Sequence, residues 1–176
     1  MGTRPRVPPI RRRLFVVADL QAEPRLAKEP AGRQIATIGE VIDRLKRSGN
    51  DWPAGHLNSR KRAAPTLERI DRAFAQLGRK TPFLVVYYGS DAAGGWQPLD
   101  RPLRTITTLN RFALVAPNGS GHTMRMLQPL ELAAAMGFPR NYKWPPSNRR
   151  ERIRLFGNAV RPPVMKAVIK SLIADR

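Results

Sequence analysis

The sequence predicts a mixed α/β fold, and three observations carry that prediction. Short apolar runs of strand length stand at residues 14–18, 83–88 and 112–115, with a threonine-rich run at 105–108. Elsewhere apolar residues return every three or four positions behind residues that start helices. A total of 17 prolines and 13 glycines divides the chain into short elements, while a hydrophobic content of 41% suffices for a packed core. A length of 176 residues suits one domain, or one domain with a small lobe.

The elements follow in order. Residues 14–18 are too short and too apolar for an independent helix and read as a buried strand, followed by a proline-broken loop from Gln21 to Gly32. Thr37 is placed to cap a helix, with Glu40 at the reciprocal position and Ile38, Val41, Ile42 and Leu45 on one face; Ser48, Gly49 and Asn50 stop it. Residues 51–65 read as irregular and exposed. Thr66 opens a second helix whose apolar face is Leu67, Ile70, Phe74 and Leu77, and Gly78 ends it. Residues 83–88 form a strand in which Tyr87 and Tyr88 take opposite faces, and Gly89, Gly94 and Gly95 shape the next loop. Residues 105–108 and 112–115 read as two strands joined in hairpin fashion by Leu109, Asn110 and Arg111. A helix starts at Pro129, with Glu131 near its positive end and Gly137 as its stop. Pro162 and Pro163 start the last helix, whose stripe is Val164, Ala167, Val168 and Leu172.

The formal net charge of +19 calls for an anionic partner, nucleic acid before membrane. The basicity is distributed, with 18 Lys/Arg against 8 Asp/Glu in residues 1–80 and 14 against 5 in residues 81–176. It is densest where Arg140, Lys143, Arg149, Arg150, Arg152, Arg154 and Arg161 face only Glu151. No apolar run reaches the ~20 residues that span a bilayer. The basic start at Met1 lacks the apolar core of a signal peptide, so a cytoplasmic protein is expected. With no cysteine there is no disulfide, thiolate metal site or cysteine nucleophile, and His56 and His122 lack metal-ligand spacing, so no metal is expected.

Two ordered blocks close the chain. Arg125, Leu127 and Glu131 run into Gly137, Phe138 and Pro139; further on come Gly157, Asn158, Ala159 and Val160, with Arg161 inserted before the prolines. A third block, Val7, Pro8, Pro9, Ile10, Arg11, Arg12 and Arg13, precedes the first strand. In order and spacing these resemble the closing motifs and the pocket-arginine motif of DNA cytosine-5 methyltransferases, although Pro9 stands where that family has Gln. The glycine-rich cofactor loop, the Pro-Cys nucleophile and the Glu-Asn-Val block of the family do not occur here.

The resemblance implies the C-terminal part of a Rossmann-like, S-adenosylmethionine-dependent methyltransferase plus a small α+β target-recognition lobe. Residues 1–19 would be an edge strand of the catalytic domain, 20–123 the recognition lobe, and 124–176 the return to the catalytic domain. Arg13, with Arg11 on the same face of an extended segment, would donate to cytosine O2 and stabilise charge on the ring. Asn158, Ala159 and Val160 would line one side of an S-adenosylmethionine pocket shared with a missing N-terminal part. Gly157 and Asn158 are expected at a turn that lets backbone approach the ligand, and the block from Arg125 to Pro139 reads mostly as scaffold. Arg60, Lys61, Arg62, Arg104, Thr107, Arg111 and Arg125 are the candidate contacts to double-stranded DNA. A complementary N-terminal methyltransferase chain is the implied second partner. Two alternatives stay open: a non-catalytic DNA-binding module derived from such an enzyme, and a general basic nucleic-acid protein.

Overall fold

The computed structural model describes residues 36–57, 62–89, 94–119 and 121–173. The strand expected at 14–18, and with it Arg11, Arg13, Arg60 and Lys61, lies outside the described residues. The elements are α1 (Ile38–Arg47), β1 (Gly55–His56), α2 (Ala64–Leu77), β2 (Phe83–Val86), β3 (Trp96–Pro98), β4 (Phe112–Asn118), β5 (Gly121–Met126), α3 (Pro129–Met136), α4 (Arg149–Asn158) and α5 (Pro162–Ile173).

Helix α1 begins with the expected capping box: Glu40 N donates to Thr37 Oγ1 at 3.2 Å, and Thr37 N donates to Glu40 Oε2 at 2.8 Å. Two further first-turn amides, which have no partner within a helix, donate to neighbouring chain instead: Ile38 N to Arg101 O and Gly39 N to Leu99 O, both 2.9 Å. Helix α2 starts two residues before the expected Thr66 because Pro65 is tolerated in a first turn. Its buried face is Ile70 and Ala73, flanked by Phe74 and Leu77; Leu67 is turned out and 39% exposed.

The strands form one antiparallel sheet of order β1-β5-β4-β2-β3. Both faces are covered, which explains why β2 is apolar throughout rather than alternating. On one face Leu84, Val86 and Phe112 pack with Ile38, Val41, Leu127, Leu132, Ile153 and Phe156 from α1, α3, α4 and their connections. On the other, Phe83, Val85, Ala113, Val115 and Met124 pack against Ile70 and Ala73 of α2. Tyr87 and Tyr88 take opposite faces, as their succession requires.

Three readings change. Residues 105–108 form no strand: β4 has β2 on one side and β5 on the other, so neither edge is vacant. The chain just before it is held by Gln97, 1% exposed, whose Nε2 donates to Pro102 O at 2.9 Å and whose Oε1 accepts from Arg104 N at 3.2 Å. The hairpin partner of β4 is β5, joined across Gly119, with Asn118 paired to Gly121. Helix α4, which sequence reading had absorbed into a basic run, starts with its own capping box between Asn148 and Glu151. Among the described residues every strand pairing is antiparallel, and no helix is long and apolar enough to cross a membrane.

Candidate functional site

The block from Arg125 to Pro139 is built around a buried ion pair. Arg125 Nη1 donates to Glu131 Oε2 at 2.8 Å and Arg125 Nη2 to Glu131 Oε1 at 2.7 Å, the paired geometry in which guanidinium and carboxylate match best. The Arg125 side chain is 10% exposed and that of Glu131 not at all. Glu131 Oε2 also accepts from Gln128 N at 2.7 Å, so one carboxylate both neutralises the arginine and caps α3. Trp52 covers the other side of the guanidinium, 5.3 Å from ring centroid to Arg125 Cζ.

The same corner is tied down from two further directions. Leu127 O accepts from Asn110 Nδ2 at 2.9 Å and from Arg149 Nη2 at 2.9 Å, while Arg149 Nη1 donates to Gln128 Oε1. Sequence reasoning places Arg149 only in a basic run and Asn110 only in a connecting turn, and neither among the site residues. The cap residue Asn148, immediately before Arg149, was the available signal that this arginine starts a helix rather than joining a solvated charge run.

Gly157 and Asn158 lie in the last turn of α4, not at a free turn. A Cβ on Gly157 would stand 2.4 Å from Thr108 N and 2.5 Å from Thr107 C, so the glycine lets helix and loop backbones touch. Asn158 is exposed, Ala159 caps the helix with extended φ and ψ, and Val160 lines an open apolar cleft of about 450 Å³ beside Pro162, Met165 and Ile169, with Lys166 and Lys170 at its rim. Arg161 reaches back to the last turn of α3, donating from Nη2 to Ala135 O at 3.3 Å, and burial lowers its pKa.

The candidate DNA contacts separate into two groups. Arg125 is taken up by Glu131. Arg62 is taken up by the fold as well: Nε donates to Leu57 O at 3.1 Å, Nη2 to His56 O at 3.2 Å and Nη1 to Met124 Sδ at 3.1 Å. Thr107 closes its own turn, Oγ1 donating to Leu109 O at 2.9 Å. Arg104 and Arg111, both half-buried, carry guanidinium groups with no hydrogen-bonding or ion-pair partner among the described residues. Arg104 lies close enough to Tyr88 for its charge to oppose the effect of burial, which pushes the phenol pKa up to about 12. The Tyr88 hydroxyl is buried and has no hydrogen-bonding partner among the described residues. No group of His, Asp and Glu among the described residues is arranged to hold a metal ion.

Comparison with protein families finds a match to the C-5 cytosine-specific DNA methylase model over residues 6–174. Comparisons with curated proteins and with solved structures give no match.

Proposed function

Since the chain belongs to the C-5 cytosine-specific DNA methylase family, we propose that it is the C-terminal part of a DNA (cytosine-5)-methyltransferase whose nucleophile comes from outside these 176 residues, on a complementary N-terminal chain. One observation carries this reading: the family match extends over residues 6–174 of a sequence without a cysteine. The fold then divides into a Rossmann-like catalytic part, completed by the complementary chain, and the target-recognition lobe. Helix α5 supports the need for a partner surface, since Val164, Met165 and Ile169 are 40%, 39% and 48% exposed on one helix.

In this reading duplex DNA is bound by the recognition lobe, and the free guanidinium groups of Arg104 and Arg111 meet its phosphates. The target cytosine leaves the stack, and Arg13, aided by Arg11, donates to its O2 while negative charge develops on the ring. The partner's thiolate adds at C6 and is eliminated after C5 has been methylated and has lost its proton. S-adenosylmethionine, when bound, supplies the methyl group. Of the three expected cofactor residues Val160 lines the cleft, where it offers apolar contact together with Pro162, while Asn158 and Ala159 stand next to it in sequence and are not among its lining residues. The Arg125 to Glu131 corner positions the lobe and takes no part in the chemistry.

The test is reconstitution. The chain mixed with a complementary chain bearing the Pro-Cys and cofactor-loop segments should transfer labelled methyl groups to cytosine in duplex DNA, and Arg13→Ala should abolish transfer. No transfer from a folded complex overturns the reading. A sheet already covered on both faces favours a second reading, a non-catalytic DNA-binding module. That module binds duplex DNA with steep salt dependence and no response to S-adenosylmethionine.

A further inference from the structure

We propose that the cleft between α1 and the end of α3 is a binding site for a single unpaired nucleotide, its base on Trp144 and Phe138 and its phosphate at Arg44 and Arg140. The cleft measures about 250 Å³, below the ~300–1,000 Å³ of typical small-molecule pockets, which leaves room for one base with its sugar and not for a larger cofactor. Its floor is apolar, formed by Leu45, Ala133, Phe138 and Trp144, and its two charged lining residues are both arginines.

The aromatic wall is preorganised. Trp144 meets Phe156 edge-on, with centroids 4.8 Å apart and planes at 89°, and Phe138 lies 4.9 Å from Trp144. Phe156 is itself 2% exposed, so the indole is braced from the core side. Tyr142 packs against both rings, 5.2 Å from Phe138 and 4.4 Å from Trp144. Arg44 and Arg140 are exposed and have no ion-pair or hydrogen-bonding partner for their guanidinium groups among the described residues. An apolar floor carrying two tilted aromatic rings, beside two cations without an ion-pair partner among the described residues, complements a ligand that is apolar and aromatic at one end and anionic at the other. In a protein of net charge +19, a nucleotide with its bases accessible meets that description. A stacked duplex does not, because its base faces are covered. The inference rests on this cleft alone and stands apart from the methyltransferase reading.

The test compares three probes against the full chain at fixed salt by fluorescence anisotropy: an eight-residue oligothymidylate, an abasic oligonucleotide of the same length and charge, and a hexaglutamate peptide. The wild-type chain should bind the oligothymidylate roughly five- to hundredfold more tightly than the abasic strand. The double variant Arg44→Ala/Arg140→Ala, altered only at exposed positions, should lose most of the oligothymidylate affinity. Ala134→Leu, which fills the cleft without removing a charge, should erase the preference for bases while leaving abasic binding unchanged. Equal binding of the two strands by the wild-type chain overturns the proposal. So does a base preference that survives Ala134→Leu, because the bases then stack elsewhere. Displacement of the oligothymidylate by hexaglutamate at equal concentration also overturns it, assigning the cleft to an acidic protein segment.

Discussion

Replacing Arg125 by alanine distinguishes a structural arginine from a DNA-contacting one. The substitution leaves the Glu131 carboxylate, fully buried, with Gln128 N as its remaining partner in place of three donated hydrogen bonds. Breaking one side of a buried ion pair costs ~3–5 kcal/mol. The lost contact with Trp52 adds about 0.5–1 kcal/mol and is the smaller effect. Against a total stability of about 5–15 kcal/mol, the variant should lose roughly a fifth of it or more. At ~2–4 °C per kcal/mol for a chain of this size, that is a fall in Tm of roughly 6–20 °C. Urea unfolding followed by far-ultraviolet circular dichroism measures the loss as a shift in midpoint at unchanged slope. The double variant Arg125→Met/Glu131→Leu should recover most of it, retaining a deficit of ~1 kcal/mol for the uncapped Gln128 amide. A loss below about 1 kcal/mol in the single variant, or equal losses in both, refutes the reasoning. If Arg125 instead serves DNA, stability survives and the salt dependence of duplex binding falls.

Three further substitutions test the neighbouring geometry. Gly157→Ala forces a methyl against the backbone of Thr107 and Thr108, where no side chain can rotate away; overpacking of ~1–3 kcal/mol exceeds the ~1 kcal/mol that alanine gains in a helix, and a variant as stable as wild type in urea refutes the packing. Arg104→Ala and Arg111→Ala should each reduce the slope of log K against log salt by ~0.9 on duplex DNA, read between 50 and 200 mM salt as about one counterion fewer; unchanged slopes remove both from the interface. Tyr88 has its folded pKa raised from 10.0 to about 12, so its contribution to stability is complete below pH 10.0 and is lost as pH rises through about 12. Tyr88→Phe should remove that component from the stability profile without loss at pH 7, since the hydroxyl it deletes has no partner; a variant that loses stability at neutral pH shows that the hydroxyl is bonded after all.

The local signals that were legible share a property: they concern residues a few positions apart. The capping box of Thr37 and Glu40, the left-handed Gly137 at the end of α3 and the prolines opening α5 each specify a helix end by short-range hydrogen bonding or backbone freedom. Asn148 with Glu151 and the Asn118-Gly119 pair were signals of the same kind, the first hidden within a charge run and the second passed over in favour of a hairpin nearer the threonines. Residues 105–108 show the limit of such reasoning. Threonines and isoleucine suit a strand locally, but a strand needs a vacant edge, and the occupancy of β4 by β2 and β5 is set by pairings made across the chain.

The site demands the same distinction between a residue's chemistry and its vacancy. Arg62, Arg104, Arg111 and Arg125 are equivalent as sequence, each a cation in a strongly basic protein. In the fold, carbonyl oxygens and a methionine sulfur occupy Arg62, and Glu131 occupies Arg125, while Arg104 and Arg111 retain their donors. A guanidinium already bonded in a buried pair must give up those bonds before it can meet a phosphate, and that exchange costs more than a surface ion contact returns. The arginine that carries the closing motif is therefore a support for α3. The arginines left with free donors among the described residues, Arg104 and Arg111, lie outside that motif, and they are distinguished only after the hydrogen bonds of the fold have been assigned.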